Sequence, residues 1–167
     1  MPNMKQIIAA HNKSVIEKDT RSAPPGCICR RNTKCPLDGK CQISGVVYQA
    51  TITRLEDQRQ ETYVGLTDTT FKTRYNAHNS TFRNRDKRNA TALSQYVWSL
   101  NDNNIQHSIS WRIIARSSAF SPSSNNCNLC LCEKFYIICT DHGSLNTRNE
   151  LATACRHRRK YLLCNIG

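Results

Sequence analysis

The sequence predicts a small α+β domain, with a three-stranded antiparallel sheet flanked by helices and an N-terminal cysteine segment that binds zinc. Two observations lead to this fold class. Segments of strand and helix character follow one another in the order β-β-α-α-β-α-α over 167 residues, about the length of one domain. The chain also has 10 cysteines, and four of them lie between Cys27 and Cys41, in a stretch too short and too polar to form a core.

The N-terminal part divides into a linker and a cysteine segment. Residues 1–26 are polar, end in Ser-Ala-Pro-Pro-Gly and are predicted to form a linker or a helical junction. Residues 27–44 contain CICRRNTKCPLDGKC, in which Pro36 and Gly39 supply the turns that a chain needs to wrap around a metal ion. The close Cys-x-Cys spacing leaves open whether its two sulfurs bind the same ion. The predicted zinc ligands are Cys27, Cys29, Cys35 and Cys41.

Three segments have the composition of β-strands. Residues 46–53 and 62–66 are rich in β-branched and aromatic residues, and the polar stretch 56–60 between them predicts an antiparallel hairpin. A third strand is predicted over residues 108–116. Its alternating apolar residues on one side are Ile109, Trp111 and Ile113, with Ala115 as a further candidate.

The remaining segments indicate helices. Residues 68–70 offer N-caps to a first helix, in which Phe71, Tyr75, His78 and Phe82 recur with the spacing of one helix face. A basic loop, 83–89, separates it from a second helix that Thr91 caps and that ends at residues 101–104. A Ser/Pro/Asn loop, 117–126, then leads to a helix over 127–139, a turn at 141–144 and a last helix through Leu151.

A second, inner zinc site is predicted between the last two helices. Cys127 and Cys130 begin one helix, and Cys155 and His157 lie in the next, so a tetrahedral set forms where the two helices meet. His142 is an alternative fourth ligand. The competing interpretation is that these cysteines are buried as small apolar side chains.

The charge of the chain indicates a polyanionic partner. Against 12 acidic residues the chain has 24 Lys and Arg, which gives a net charge of +12, and the basic residues are clustered. A surface that only confers solubility usually mixes both signs. We therefore expect nucleic-acid contacts from Lys72, Arg83, Arg85, Lys87 and Arg88 in one cluster and Arg156, Arg158, Arg159 and Lys160 in another.

The compartment is expected to be reducing. No apolar stretch has the length of a secretory signal or of a membrane span. Under reducing conditions cysteines more often bind metal than form disulfides. The rival interpretation, a secreted disulfide protein, predicts that a reducing agent rather than a chelator unfolds the chain.

Polar residues on the predicted core elements form a possible phosphodiester-cleaving set. Tyr48 and Tyr63 lie on neighbouring strands, Arg74 and His78 share a helix face, and Glu133 lies on the helix that the Cys-x-x-Cys motif begins. An arginine can hold the phosphate, a carboxylate can bind a divalent cation, and a tyrosine or histidine can take a proton from water. Without further support, a strand tyrosine is more often core and a helix arginine more often surface.

The order of these motifs resembles the signature of the GIY-YIG endonuclease family. The chain has Gly-Val-Val-Tyr at 45–48, Tyr-Val-Gly at 63–65, Phe-Lys-x-Arg-x-x-x-His at 71–78, then Glu133 and Leu-Asn at 145–146. The first triplet is VVY instead of GIY, and the interval between the triplets is longer than in compact members. The stretches CPLDGKC, VVYQA, CxLCxxEK and LNxRxExxxxCRH are similar to the endonuclease domain of Penelope-like retroelements. The resemblance covers residues 27 to 163, and a GIY-YIG-like domain is expected over 45–164.

The resemblance implies roles for the polar residues. Tyr48 acts as the general base or orients the attacking water, and His78 is the alternative base or a phosphate ligand. Tyr63 positions the water or a phosphate oxygen. Arg74 stabilises the pentacovalent phosphorane, for which a bidentate guanidinium suits better than lysine.

The family also implies a metal and a biological context. Glu133 holds one Mg²⁺ or Mn²⁺, Asn146 supports the site, and the inner zinc, through Cys130, fixes the helix of Glu133. The expected function is a nuclear DNA endonuclease that nicks one strand and leaves a 3′-hydroxyl for target-primed reverse transcription. Its partners are DNA, a reverse transcriptase domain in the same polypeptide and the element RNA, with no membrane. The alternative is a catalytically inactive, zinc-stabilised nucleic-acid-binding module.

Overall fold

A computed structural model describes residues 26–117, 127–140, 143–147 and 150–151. These residues form three strands, β1 (Ser44–Arg54), β2 (Gln60–Thr70) and β3 (His107–Arg116), and three α-helices, α1 (Phe71–Arg83), α2 (Ala92–Asp102) and α3 (Asn128–Cys139). Short 3₁₀ turns occupy Asn32–Lys34 and Arg85–Lys87. The predicted α+β class with a three-stranded antiparallel sheet is confirmed.

The sheet has the order β2-β1-β3, with β1 in the centre. Both pairings are antiparallel, and the β1–β2 register places Tyr48 opposite Gly65 and Ala50 opposite Tyr63. Strand β2 is longer than predicted and runs through to Thr70, whose hydroxyl then caps α1 by accepting a hydrogen bond from the Thr73 N–H. One residue therefore ends the strand and begins the helix.

Apolar residues are buried on both faces of the sheet. On the first face Tyr48, Ile52 and Phe71 pack with residues of α2, and on the second face Val47 and Val64 pack against α3. Burial on both faces explains why β1 has the continuous apolar run Val-Val-Tyr instead of strict alternation.

One predicted orientation is wrong. Ile109, Trp111 and Ile113 pack on the first face as expected, but Ala115 packs on the second. Ala115 and Ile113 pair with the consecutive residues Val47 and Tyr48, so Ile114 is an extra residue in β3. This bulge reverses the alternation beyond it, which the sequence pattern does not show.

The other helices begin close to the predicted positions. Thr91 and Ser94 form a reciprocal capping box at α2, and Cys127 is the N-cap residue of α3. Residues 1–25, the loop 118–126, His142 and the last helix beyond Leu151 lie outside the described residues. Within the described ranges, no helix is long and apolar enough to cross a membrane.

Candidate active site and metal centre

Tyr48 is the centre of the candidate active site. It lies in the middle of β1, its side chain is fully buried, and its ring packs edge-on against Phe71 with centroids 5.4 Å apart. The tyrosine lies directly over Gly65 of β2, where an added Cβ would be 2.5 Å from the Tyr48 hydroxyl. Only glycine at position 65 leaves room for this ring, which gives the Tyr-Val-Gly triplet a physical reason.

Helix α1 directs Arg74 and His78 towards this tyrosine. The two are one turn apart, so they share the face of α1 that packs on the sheet. Arg74 donates a hydrogen bond from Nε to the Tyr48 hydroxyl at 2.9 Å, and His78 Nε2 lies 2.7 Å from the same hydroxyl. Arginine can only donate, so the hydroxyl oxygen accepts from Arg74. His78 Nε2 accepts the phenolic proton when the imidazole proton is on Nδ1, and donates to the same oxygen when it is on Nε2.

Burial sets the protonation of this pair. It raises the pKa of Tyr48 to about 12, even though the charge of Arg74 acts in the opposite direction. It lowers the pKa of His78 to about 3, and the charge of Arg74 lowers it further. At neutral pH the resting site therefore holds a neutral phenol hydrogen-bonded to a neutral imidazole.

Tyr63 and Arg74 complete the polar group on the first face. Tyr63 is buried beside His78, with ring centroids 6.1 Å apart, and burial raises its pKa strongly. The Arg74 guanidinium interacts with the hydroxyls of both Tyr48 and Tyr63. The structure thus brings together four residues that lie on three separate elements.

Two carboxylates act on these tyrosines. Glu133 is half-buried on α3, and its charge contributes to the raised pKa values of Tyr48 and Tyr63. Glu150, to which the sequence interpretation gave no role, contributes in the same way. A carboxylate is suited to a hard divalent cation, and the Mg²⁺ or Mn²⁺ role of Glu133 stays a prediction.

Asn146 holds the following segment against β2. Its side-chain Oδ1 accepts from the Val64 N–H, and its Nδ2 donates to the Val64 carbonyl, both at 2.8 Å. Nδ2 also donates to Glu150 at 2.9 Å, and the same carboxylate accepts from the Thr147 N–H at 2.8 Å. Glu150 could have been found from the Thr-x-x-Glu pattern at 147–150, which is typical of a helix N-terminus.

The four N-terminal cysteines form a cluster. The Sγ atoms of Cys27, Cys29, Cys35 and Cys41 all lie within 4.8 Å of one another, so they can hold a metal such as zinc. The Cys29–Cys41 and Cys27–Cys41 sulfur separations are 3.8 Å and 3.5 Å. A tetrahedron with Zn–S bonds of about 2.3 Å has edges of about 3.8 Å, which fits this spacing. The Cys-x-Cys pair contributes both of its sulfurs to the same cluster.

Buried thiols in this cluster differ in acidity. Burial tends to raise the pKa of Cys35, but backbone N–H groups of Leu37 and Gly39 and neighbouring thiols outweigh it and lower the pKa to about 7. Burial and the neighbouring thiols raise the pKa of Cys41 to about 12. The loop around Gly39, with a φ of 92°, is therefore arranged to stabilise a thiolate.

The cysteine cluster is attached to the start of α1. The N–H groups of Phe71 and Lys72, which have no partner inside the helix, donate to the carbonyls of Ile43 and Cys41 at 2.7 and 2.8 Å. Lys72 Nζ also donates to Cys29 Sγ at 3.1 Å. The helix that carries Arg74 is thus anchored at its N-terminus by the cysteine segment.

Half of the predicted inner zinc site lies outside the described residues. Cys155 and His157 belong to that part, as do Arg156, Arg158, Arg159 and Lys160 of the second basic cluster. Cys127 is buried, and both Cys127 and Cys130 pack in the apolar cluster on the second face of the sheet. The inner zinc site stays a prediction.

The first basic cluster is described, and its members have different partners. Arg85 and Arg88 both pair with Asp102, at 3.6 and 3.5 Å, and Lys87 donates to the Ser80 hydroxyl at 3.4 Å. Lys72 is engaged by Cys29. Arg83 is exposed at the end of α1.

Comparisons with known proteins identify no relative of this chain: no protein-family model, curated protein or solved structure matches it.

Proposed function

We propose that this protein is a metal-dependent DNA endonuclease of the GIY-YIG type, which nicks one strand by hydrolysis and leaves a 3′-hydroxyl. The observation that supports this proposal most is the hydrogen-bonded chain Arg74–Tyr48–His78, which joins a phosphate-binding cation to a proton-transfer pair. A tyrosine that served only to fill the core would not need both a half-buried guanidinium and a buried imidazole on its hydroxyl.

The proposed reaction uses this chain as a proton relay. A water oxygen attacks the phosphorus, its proton passes to the Tyr48 oxygen, and the phenolic proton passes to His78 Nε2. The P–O3′ bond breaks and the departing 3′-oxygen takes a proton from solvent, so the products are a 5′-phosphate and a 3′-hydroxyl. His78 then releases its proton to solvent. Because the charge of Arg74 lowers the pKa of His78, pairing of Arg74 with a phosphate would raise that pKa and make the imidazole a better acceptor.

The remaining site residues bind and orient. The Arg74 guanidinium retains donor nitrogens beyond Nε for the phosphate oxygens, and its charge opposes the charge that develops on the phosphorane. Tyr63 would orient a phosphate oxygen or the water. Glu133 would hold the Mg²⁺ or Mn²⁺, which when bound stabilises the departing 3′-oxygen. In a Penelope-like context the partners would be a linked reverse transcriptase domain, element RNA and nuclear DNA.

One observation favours a second candidate, a catalytically inactive zinc-stabilised nucleic-acid-binding module. The Tyr48 side chain has no exposed surface, so a water molecule reaches its hydroxyl only after a neighbouring side chain moves. The two candidates differ in a single measurable property, the cleavage of DNA.

Relaxation of supercoiled plasmid by the zinc-loaded 167-residue chain tests the proposal. We expect nicked circles in the presence of Mg²⁺ or Mn²⁺ and none in EDTA. Tyr48→Phe and Arg74→Lys should each reduce the rate by at least about 100-fold, because each removes part of the relay or the bidentate donor. Tyr96→Phe, at a half-buried tyrosine of α2, is the matched control and should retain the wild-type rate. Wild-type cleavage by Arg74→Lys and Tyr48→Phe would refute the assigned roles, and absence of cleavage with intact DNA binding would favour the inactive module.

A further inference from the structure

A polar groove lies on the side of α1 that faces away from the candidate active site. It has a volume of about 630 Å³ and lies between the cysteine segment and α1. The lining residues are Lys34, Lys72, Tyr75, Asn76, Asn79, Ser80, Arg83 and Asn84. Six of them recur along α1 at the spacing of one helix face, whereas Arg74 and His78 face the sheet. The groove is therefore separate from the Tyr48 site, with one helix between the two.

The groove combines cations with side-chain amides. Three cations and three asparagines line it, and no carboxylate is among its described lining residues. Lys34 forms one wall and Arg83 the other end, and both are exposed. Cations on two sides of a groove suit a phosphate backbone, and amides between them can both donate to and accept from base edges.

Two lining residues are already engaged and form the floor. Lys72 Nζ contacts Cys29 Sγ and lies 5.4 Å from the centre of the Tyr75 ring. Tyr75 stacks on Phe71 with ring centroids 6.2 Å apart. The floor is thus fixed by the cysteine cluster and by the core, so the groove is preformed, which lowers the cost of ordering it when a ligand binds.

The shape of the groove favours a single strand over a duplex. A duplex is a convex rod, and proteins read it by inserting a helix or ribbon into its groove. An open groove of this volume instead has room for one or two nucleotides of an unpaired strand. The amides of Asn76 and Asn79 would contact the bases of such a strand, and the cations Lys34 and Arg83 would contact its phosphates.

We propose that this groove binds single-stranded DNA, the strand that is freed at the nick. The inference rests on the proposed endonuclease function for the source of that strand, but binding in the groove is measured without cleavage. Holding the freed strand on the far side of α1 would keep it away from the 3′-hydroxyl that is to be extended.

Fluorescence anisotropy of a labelled twelve-nucleotide oligo-dT tests the proposal with the zinc-loaded 167-residue chain. The double variant Lys34→Ala and Arg83→Ala removes two phosphate contacts. The magnitude of the slope of log affinity against log salt concentration should therefore fall by about 1.4, which corresponds to about 25-fold weaker binding at 0.1 M salt. Lys40→Ala with Arg112→Ala removes the same charge from exposed positions outside the groove, and should have a clearly smaller effect. Asn79→Ala should weaken binding without changing the salt slope, and Asn101→Ala, an exposed amide of α2, should not.

The outcomes distinguish this proposal from the proposed function. Equal losses in the groove variant and in the charge-matched control would overturn it, as would a larger effect on duplex than on oligo-dT. Tighter binding of oligo-rU than of oligo-dT by tenfold or more would overturn the assignment to DNA. Tyr48→Phe should abolish nicking yet bind oligo-dT as the wild type does, so each proposal fails by a separate measurement.

Discussion

Gly65→Ala should be among the most damaging single-methyl substitutions in this chain. An added Cβ would lie 2.5 Å from the Tyr48 hydroxyl and 2.7 Å from its Cζ, and Tyr48 is fully buried. Phe71 and Trp111 pack against the ring, so relief of the clash displaces the hydroxyl and weakens its hydrogen bonds to Arg74 and His78. Overpacking costs about 1–3 kcal/mol, and weakening a hydrogen bond to a charged donor adds about 1–2 kcal/mol. We expect a total destabilisation of about 2–5 kcal/mol.

Urea denaturation followed by far-UV circular dichroism, with zinc present, measures this loss. Gly26→Ala is the matched control, because a Cβ there meets no atom within 4 Å, and it should change stability by less than about 0.5 kcal/mol. Tyr48→Leu removes both clashing atoms, so the cost of Gly65→Ala should be smaller in that background by at least about 1 kcal/mol. A Gly65→Ala protein as stable as the control, or the same cost in both backgrounds, would refute the proposed packing.

Three further predictions concern metal, pH and the Asn146 segment. Chelation of the zinc-loaded protein should lower the midpoint of its thermal unfolding, because the cysteine cluster anchors the start of α1. Cys41→Ser should reproduce most of this loss, whereas Cys139→Ser, at an exposed cysteine, should not. The folded pKa of His78, about 3, is below the unfolded value of about 6.5, so its contribution to stability is complete above pH 6.5 and is lost as pH falls towards 3. His78→Gln should therefore reduce the slope of the free energy of unfolding against pH between pH 7 and 4, by up to about 1.4 kcal/mol per pH unit. Parallel curves for the variant and the wild type would contradict this. Glu150→Gln should leave the fold intact but weaken the hydrogen bond to Asn146, which lowers the nicking rate by about 3- to 10-fold. An unchanged nicking rate and unchanged hydrogen exchange at the Val64 amide would exclude this role of Glu150.

Local sequence patterns were sufficient to predict the order and type of the strands and helices. The β-branched residues of β1, the apolar periodicity of α1 and the Thr91 cap each act within a few residues, so the sequence displays them directly. The orientation of Ala115 could not be predicted, because the bulge that reverses it depends on how β3 pairs with β1. The extension of β2 to Thr70 has a similar origin, since polar Thr and Asp residues gain strand structure from pairing with β1.

In the candidate site, too, local sequence patterns predicted some features, and contacts between distant residues decided the others. The four cysteines between 27 and 41 were predicted as a cluster, since a polar stretch with no core of its own leaves them few other roles. The contribution of Glu150 was missed because it acts through Asn146, whose contact with Val64 joins residues 82 positions apart. The hydrogen bond from Lys72 to Cys29 could not be predicted from local sequence patterns either, since it joins the cysteine segment to a helix 43 positions later.

The sequence by itself determined which residue types are available: two tyrosines in strand segments, an arginine and a histidine one helical turn apart, and four clustered cysteines. The tertiary structure decided their state. Folding buries Tyr48 and His78 together, which moves their pKa values apart, and places Arg74 on the hydroxyl between them. Desolvation and hydrogen-bond geometry depend on residues that are distant along the chain, so only the packed structure turns these side chains into a possible proton relay.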